Sequence, residues 1–245
     1  MAQIDNLKNK KLARQKIVML TAYDYAFARI IDQTDVDIIL VGDSLGNVVL
    51  GYENTLPVTM VDMVHHTKAV ARGVSRALLV TDIPNKAVSL SNAKQLIEAG
   101  AKAVKIEGID QLVTIKEIVK AGIPVMGHLG FLPQKVKELG GYKIQRDPKI
   151  IEQAKELEAA GVFSIVLEMV PSELSQKVTE AVTVPTISCG AGPHCDGQVL
   201  VTYDLLGLSA WSPKFAKKYA DLGAEMKKSI NQFSSDVKNK KFPTA

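Results

Sequence analysis

Seven short aliphatic runs, separated by amphipathic stretches, constrain this chain more than any other feature of its sequence. They fall at 16–22, 37–43, 76–82, 102–107, 123–128, 163–168 and 184–189. Most are rich in Val, Ile and Leu, as strands are when both faces of a parallel sheet are covered, and 102–107 interleaves Ala103, Val104 and Ile106 with charged residues. Between them, 58–72, 91–99, 111–120 and 148–159 have helical spacing and composition, and parallel strands require crossovers of that kind. Gly100, Gly122 and Gly161 stand where a helical stretch gives way to the next run, the position of a left-handed helix cap. The alternation predicts an α/β fold, a (β/α)8 TIM barrel, and 245 residues suits it. For the eighth strand the best candidate is 199–203, where helix is an equal alternative. No Pro/Gly/Ser-rich linker divides the chain, so one catalytic domain over 1–245 with polar ends is expected.

Composition narrows the functional classes. With 47% apolar residues and 30 Lys+Arg against 26 Asp+Glu, the net charge is only +4. The basic residues are dispersed except at the ends, which argues against a nucleic-acid surface. Lys8, Lys10 and Lys11, and again Lys238, Lys240 and Lys241, read as frayed, solvated termini. No run approaches the eighteen or so apolar residues of a membrane span. Two cysteines and a polar start without a secretory leader predict a reducing, cytoplasmic setting.

The chemistry is expected at the strand ends. Asp43 and Asp82 each close an aliphatic run with a carboxylate that no apolar core would choose. Lys105, Glu107, His128 and Glu168 hold corresponding positions on other runs. Lys105 and Glu107 are two apart, so an extended backbone points both to one side. A buried Lys–Glu ion pair would account for those two alone, but not for four further polar residues at other strand ends. Converging carboxylates call for a hard cation such as Mg2+. Asp43, Asp82 and Glu107 are the candidate oxygen ligands, directly or through water. Lys105 suits a substrate carboxylate or a developing oxyanion. Glu168, between Leu167 and Met169, is a candidate general base, and His128 either contacts substrate or supports the site. A cation that polarises a carbonyl beside a carboxylate base is equipped to remove a proton α to a ketone. The long connections 44–57 and 129–147 read as binding loops at the same barrel end. The run from Cys189 to His194 and Cys195 reads as a glycine-rich turn rather than a zinc site, and His65 and His66 as packing or surface residues.

These motifs resemble those of the ketopantoate hydroxymethyltransferase (3-methyl-2-oxobutanoate hydroxymethyltransferase) family. The resemblance is carried by Thr21-Ala22-Tyr23-Asp24-Tyr25, Val41-Gly42-Asp43-Ser44-Leu45-Gly46, Thr55 to Thr59, Val104-Lys105-Ile106-Glu107-Gly108, Gly127 to Gly130 with Pro133-Gln134, Gly140-Gly141-Tyr142-Lys143, Leu167-Glu168, and Cys189 to Gly192 followed by Asp196 to Gln198. It implies a barrel of the phosphoenolpyruvate/pyruvate type that transfers a hydroxymethyl group from 5,10-methylenetetrahydrofolate to 3-methyl-2-oxobutanoate, giving 2-dehydropantoate for pantothenate biosynthesis. Asp43 and Asp82 then look like Mg2+ ligands that also face substrate, with Glu107 a further ligand through water. Ser44 and Lys105 look like substrate contacts, and Glu168 matches the proton acceptor. A homo-oligomer, often a decamer, is implied as well.

The chain departs from the family pattern in three places. The segment between Asp82 and Lys105 is a few residues short, and Ile83-Pro84-Asn85-Lys86 replaces a more apolar, aromatic-containing loop. Tyr203 precedes Asp204 where a histidine is usual, and Ser188-Cys189 replaces a more aliphatic pair. These differences concern the outer, folate-side pocket more than the cation chemistry. The alternatives are a related Mg2+-dependent keto-acid lyase or mutase barrel and a catalytically weak homologue that only binds a keto acid.

Overall fold

The computed structural model describes residues 2–137, 141 and 143–243. Gly140 and Tyr142 of the expected loop after the fifth strand lie outside the described residues. The chain forms two compact units, Met1–Val199 and Leu200–Ala245. Eight parallel strands close into a barrel in sequence order: β1 (Ile17–Thr21), β2 (Ile38–Val41), β3 (Leu78–Asp82), β4 (Ala103–Glu107), β5 (Val125–Gly130), β6 (Ser164–Glu168), β7 (Thr186–Cys189) and β8 (Gly197–Leu200). Six of the seven predicted runs contain their strand, and β5 extends two residues past the predicted 123–128 to Gly130. The eighth is shifted from the expected position: β8 begins at Gly197, and 202–206 is helical. Gly197 has a physical reason for its place, because a Cβ there would sit 2.6 Å from the Ile17 carbonyl oxygen of the neighbouring strand.

The helices of the first unit are α1 (Ala2–Leu12), α2 (Tyr25–Asp32), α3 (Leu45–Val48), α4 (Met60–Ala71), α5 (Leu90–Glu98), α6 (Leu112–Lys120), α7 (Ile150–Ala159) and α8 (Ser172–Ala181). α4 starts on a capping box, with Thr59 accepting from the Asp62 N–H and Asp62 accepting from the Thr59 N–H. After α5, α6 and α7, Gly100, Gly122 and Gly161 have positive φ, as the sequence predicts. Inward residues of alternating parity, among them Met19, Ile38, Leu40, Leu78, Val80, Ala103, Met126, Val166 and Ile187, form an apolar layer inside the barrel.

The expectation of a frayed N-terminus is overturned. α1 packs Ile4 and Leu7 against this interior layer, and two of its lysines, Lys10 and Lys11, are anchored while Lys8 stays exposed. Lys10 pairs with Asp37 at 2.5 Å. Lys11 reaches Asp196 at 3.0 Å and donates to the Thr179 and Val184 carbonyls at 3.1 Å. Lysine stems lie along apolar surface while their ammonium groups find acceptors, so a Lys-rich stretch here closes the barrel rather than dangling from it.

The second unit holds α9 (Thr202–Leu206), ended by left-handed Gly207, and α10 (Leu222–Lys238), capped by the Asp221 side chain. The helix extends to Lys238, so this terminus too is ordered further than expected. Leu222, Met226, Ile230, Phe233 and Val237 recur along α10 at helical spacing, and no residue of the helix is buried. Among the described residues, no helix is long and apolar enough to cross a membrane.

Candidate active site

Strand periodicity builds the site. On β3, Leu78 and Val80 enter the apolar layer and Asp82 follows with the same parity. Ala103 is followed by Lys105 and Glu107 on β4, Met126 by His128 on β5, and Val166 by Glu168 on β6. Parallel register then sets neighbours side by side, Asp82 with Lys105 and Glu107 with His128. Asp43 joins from just beyond β2. Asp43, Asp82, Lys105, Glu107 and His128 are all buried, and the Glu168 side chain is 15% exposed.

Their contacts form one network. Lys105 Nζ donates to Asp82 Oδ1 at 2.5 Å and lies 3.7 Å from Glu107 Oε1. Asp82 Oδ2 accepts the Asp43 backbone N–H at 3.0 Å. Gln134 Nε2 donates to Asp43 Oδ2 at 2.9 Å, and the Gln134 backbone N–H donates to Glu107 Oε2 at 3.2 Å. His128 bridges the cluster to Glu168, with Nδ1 3.3 Å from Glu107 Oε1 and Nε2 3.4 Å from Glu168 Oε2. These are charge contacts without hydrogen-bond alignment, for both ring nitrogens and Glu107 Oε1 are buried without a hydrogen-bond partner. Ser44 is beside Asp43, its Oγ 2.8 Å from the Tyr23 hydroxyl, and His66 Nδ1 holds the Tyr23 carbonyl oxygen at 2.6 Å.

Backbone geometry fixes Glu168. Gly130, its partner on β5, has φ +95°, and a Cβ there would lie 2.2 Å from the Glu168 carbonyl oxygen. That oxygen accepts the Phe131 N–H at 2.8 Å. The next residue, Met169, has φ +48°, unusual for a side chain other than Gly, Asn or Asp. Its N–H donates to the Cys189 carbonyl and its carbonyl accepts from Gln145 N–H, so bonds on both sides hold the left-handed turn.

Burial pushes the Asp43 carboxyl up to about 8, and the Glu107 and Asp82 carboxylates add to this against Lys105 and Gln134. Burial also opposes charge on Lys105, but the carboxylates of Asp82, Glu107 and Asp43 outweigh it and raise its pKa. For Glu107, burial is overcome by His128, Lys105 and the Gln134 N–H, which together lower its pKa. His128 loses stability of its cation to burial and to Lys105, yet Glu107 and Glu168 carry it up to about 9.

A pH dependence follows for the cation-free protein. Asp43 rises from its ordinary 3.8 to about 8 on folding, so between those values the folded chain binds more protons and stability falls as pH rises. His128 rises from 6.5 to about 9, so its contribution is full below the lower value and lost through the upper one. In a chelating buffer the melting temperature should be lower at pH 9 than at pH 6. A flat or rising profile contradicts the clustered charges.

Asp43, Asp82 and Glu107 are hard oxygen donors, and the repulsion that helps to raise the Asp43 carboxyl is what a bound cation would relieve. Among the described residues, no three His, Cys, Asp or Glu side chains form a ready-made metal cage. A Mg2+ ion does not need one, because it keeps several waters and binds through one or two carboxylates plus substrate oxygens. The residues fit such an ion.

A closed eight-stranded parallel barrel with an acidic polar cluster at its strand ends belongs to the (β/α)8 enzyme barrels. The same fold occurs in 2,3-dimethylmalate lyase, a PEP mutase/isocitrate lyase superfamily member, with TM-score 0.64, 14% identity, and coverage of 99% of this chain and 90% of that one. It occurs also in phosphonopyruvate hydrolase complexed with oxalate and Mg++, with TM-score 0.64, 13% identity, and coverage of 98% and 88%. At such identities only the fold is shared. The family model for ketopantoate hydroxymethyltransferase matches residues 1–245. The 3-methyl-2-oxobutanoate hydroxymethyltransferase of Clostridium acetobutylicum is 51% identical over 254 residues, 98% of this chain and 92% of that protein. That of Ignicoccus hospitalis is 51% identical over 252 residues, covering 98% and 96%. The chain belongs to the ketopantoate hydroxymethyltransferase family and is an enzyme of that kind.

Proposed function

We propose that the chain transfers a hydroxymethyl group from 5,10-methylenetetrahydrofolate to 3-methyl-2-oxobutanoate, giving 2-dehydropantoate for pantothenate biosynthesis. The observation that carries this reading is the position of Glu168. It is a carboxylate only 15% exposed at the C-terminal end of β6, joined through His128 to the buried acidic cluster. Asp43 and Asp82 would hold Mg2+, with Glu107 a further candidate ligand. When bound, the cation polarises the keto oxygen and offsets negative charge developing there. Asp43, Ser44, Asp82, Lys105 and His128 face the keto acid, with Lys105 fixing its carboxylate and the Ser44 hydroxyl set by Tyr23. Glu168 takes the C3 proton, and the C–H electron pair becomes the enolate that attacks the methylene carbon. Both C–N bonds of that carbon break: water supplies the hydroxyl group it keeps, and the remaining water proton and the proton taken by Glu168 pass to the two folate nitrogens as tetrahydrofolate leaves.

The keto-acid lyase or mutase alternative has only a fold likeness in its favour, whereas the transferase reading has half the residues of full-length relatives. We assign residues 1–245 to one catalytic domain acting in the cytoplasm, without nucleic-acid or membrane partners. The apolar row along α10 supports a homo-oligomer, for which the family resemblance implies a decamer. A monomeric mass in sedimentation at micromolar concentration would contradict that.

Incubation with 3-methyl-2-oxobutanoate and methylenetetrahydrofolate should yield 2-dehydropantoate with Mg2+ and none after chelation, with Mg2+ restoring turnover. Asp82→Asn should lose both cation affinity and product formation. An Asp82→Asn protein with full activity and unchanged affinity would remove Asp82 from the site.

A further inference from the structure

Gln134 lies in the 3-10 turn Pro133–Lys135 after β5, and the residue is 7% exposed. Glutamine is seldom buried to this degree, and its hydrogen bonds explain where it has gone. Nε2 donates to Asp43 Oδ2 at 2.9 Å and to the Ile83 carbonyl at 3.3 Å, while the backbone N–H donates to Glu107 Oε2 at 3.2 Å. One loop residue therefore ties together the ends of β2, β3 and β4. Its Oε1 is buried with no hydrogen-bond partner. Leaving such an acceptor unmet is costly, so the site is incomplete without a donor such as water.

The chemistry of the donor matters. Lys105 engages Asp82 with a full positive charge. The amide of Gln134 instead turns an oxygen of Asp43 in a fixed direction while leaving the carboxylate charge available to a cation. We propose that Gln134 is a positioning residue that holds Asp43 and Glu107 in the arrangement that takes up a divalent cation. This role rests on the cation reading above. Partners of that kind, which orient the groups binding an ion, typically alter affinity by about 10- to 100-fold when removed.

The test uses the full chain and Mn2+ alone, with binding measured by electron paramagnetic resonance in the absence of substrate. Gln134→Met keeps the length of the side chain and removes both the amide donor and the unmet carbonyl. Expected is a loss of Mn2+ affinity of about tenfold or more, with the melting temperature in chelator close to that of the unaltered protein. Gln134→Asn keeps an amide but falls short of Asp43 by about 1.5 Å, one carbon–carbon bond. It should lose affinity in the same direction and provides the answer if the Met variant does not fold. Unchanged Mn2+ affinity with a lowered melting temperature in either folded variant overturns the proposal and makes Gln134 a packing spacer. Absence of Mn2+ binding by the unaltered protein overturns the cation reading itself, and this role with it.

Discussion

Glu168→Gln should lose exchange of the C3 proton of 3-methyl-2-oxobutanoate by a factor of about a hundred or more, the usual consequence of removing a general base. Exchange into deuterium is followed by NMR and needs no folate, so it isolates proton removal from carbon–carbon bond formation. Glutamine preserves the side chain's shape and its proximity to His128. The strand backbone is held independently by the Gly130 pairing and by the bonds on either side of Met169. Folding and Mn2+ binding should therefore persist. Exchange at the unaltered rate would show that another group takes the proton. His128, whose Nε2 lies 3.4 Å from the Glu168 carboxylate, would then be the next candidate, and because its pKa is carried up to about 9 the exchange should in that case climb as pH rises towards that value.

The positions of these residues were readable in the sequence because strand periodicity is strict. Once Leu78 and Val80 face inward, so must Asp82, and the same argument carries Ala103 to Lys105 and Glu107. Charged residues ending otherwise aliphatic runs therefore announce a common location. Gln134 gave no such signal. It stands in a loop without periodicity, and its partners Asp43 and Ile83 are distant in sequence. Gln134 and Tyr23 were visible only as parts of motifs, although the Tyr23 hydroxyl touches Ser44.

Elsewhere local pattern gave way to tertiary context. β8 contains Gly197 and Gln198, poor strand formers by composition, and pairs because β7 offers Ile187 and Ser188 at the matching register. α1 is polar over most of its length, so its two buried residues, Ile4 and Leu7, form too narrow a stripe to recognise. Its docking becomes evident only when the acceptors for Lys10 and Lys11 are in place. The shortened connection after Asp82 is likewise more closely tied to the site than its sequence indicates. The Ile83 carbonyl accepts from Gln134, and the Ile83 N–H donates to the Lys105 carbonyl at 3.0 Å.

Lys105→Met should abolish turnover and, in chelating buffer, destabilise the fold. Methionine matches the unbranched stem of lysine and fills the same space, so the change removes a charge with little effect on packing. Asp82 then loses its 2.5 Å partner in a cluster where Asp43 and Glu107 add further negative charge. Breaking a buried pair from one side typically costs about 3–5 kcal/mol. A divalent cation bound to the folded state should restore part of that, about 2.7 kcal/mol at a hundred times its dissociation constant. Catalysis should not return with stability, because the cation cannot also fix the substrate carboxylate that Lys105 faces. Thermal melts with chelator and with Mn2+, together with exchange and product formation per folded molecule, distinguish the two roles. Retained activity per folded molecule alongside a large loss of stability would reduce Lys105 to a structural counter-ion.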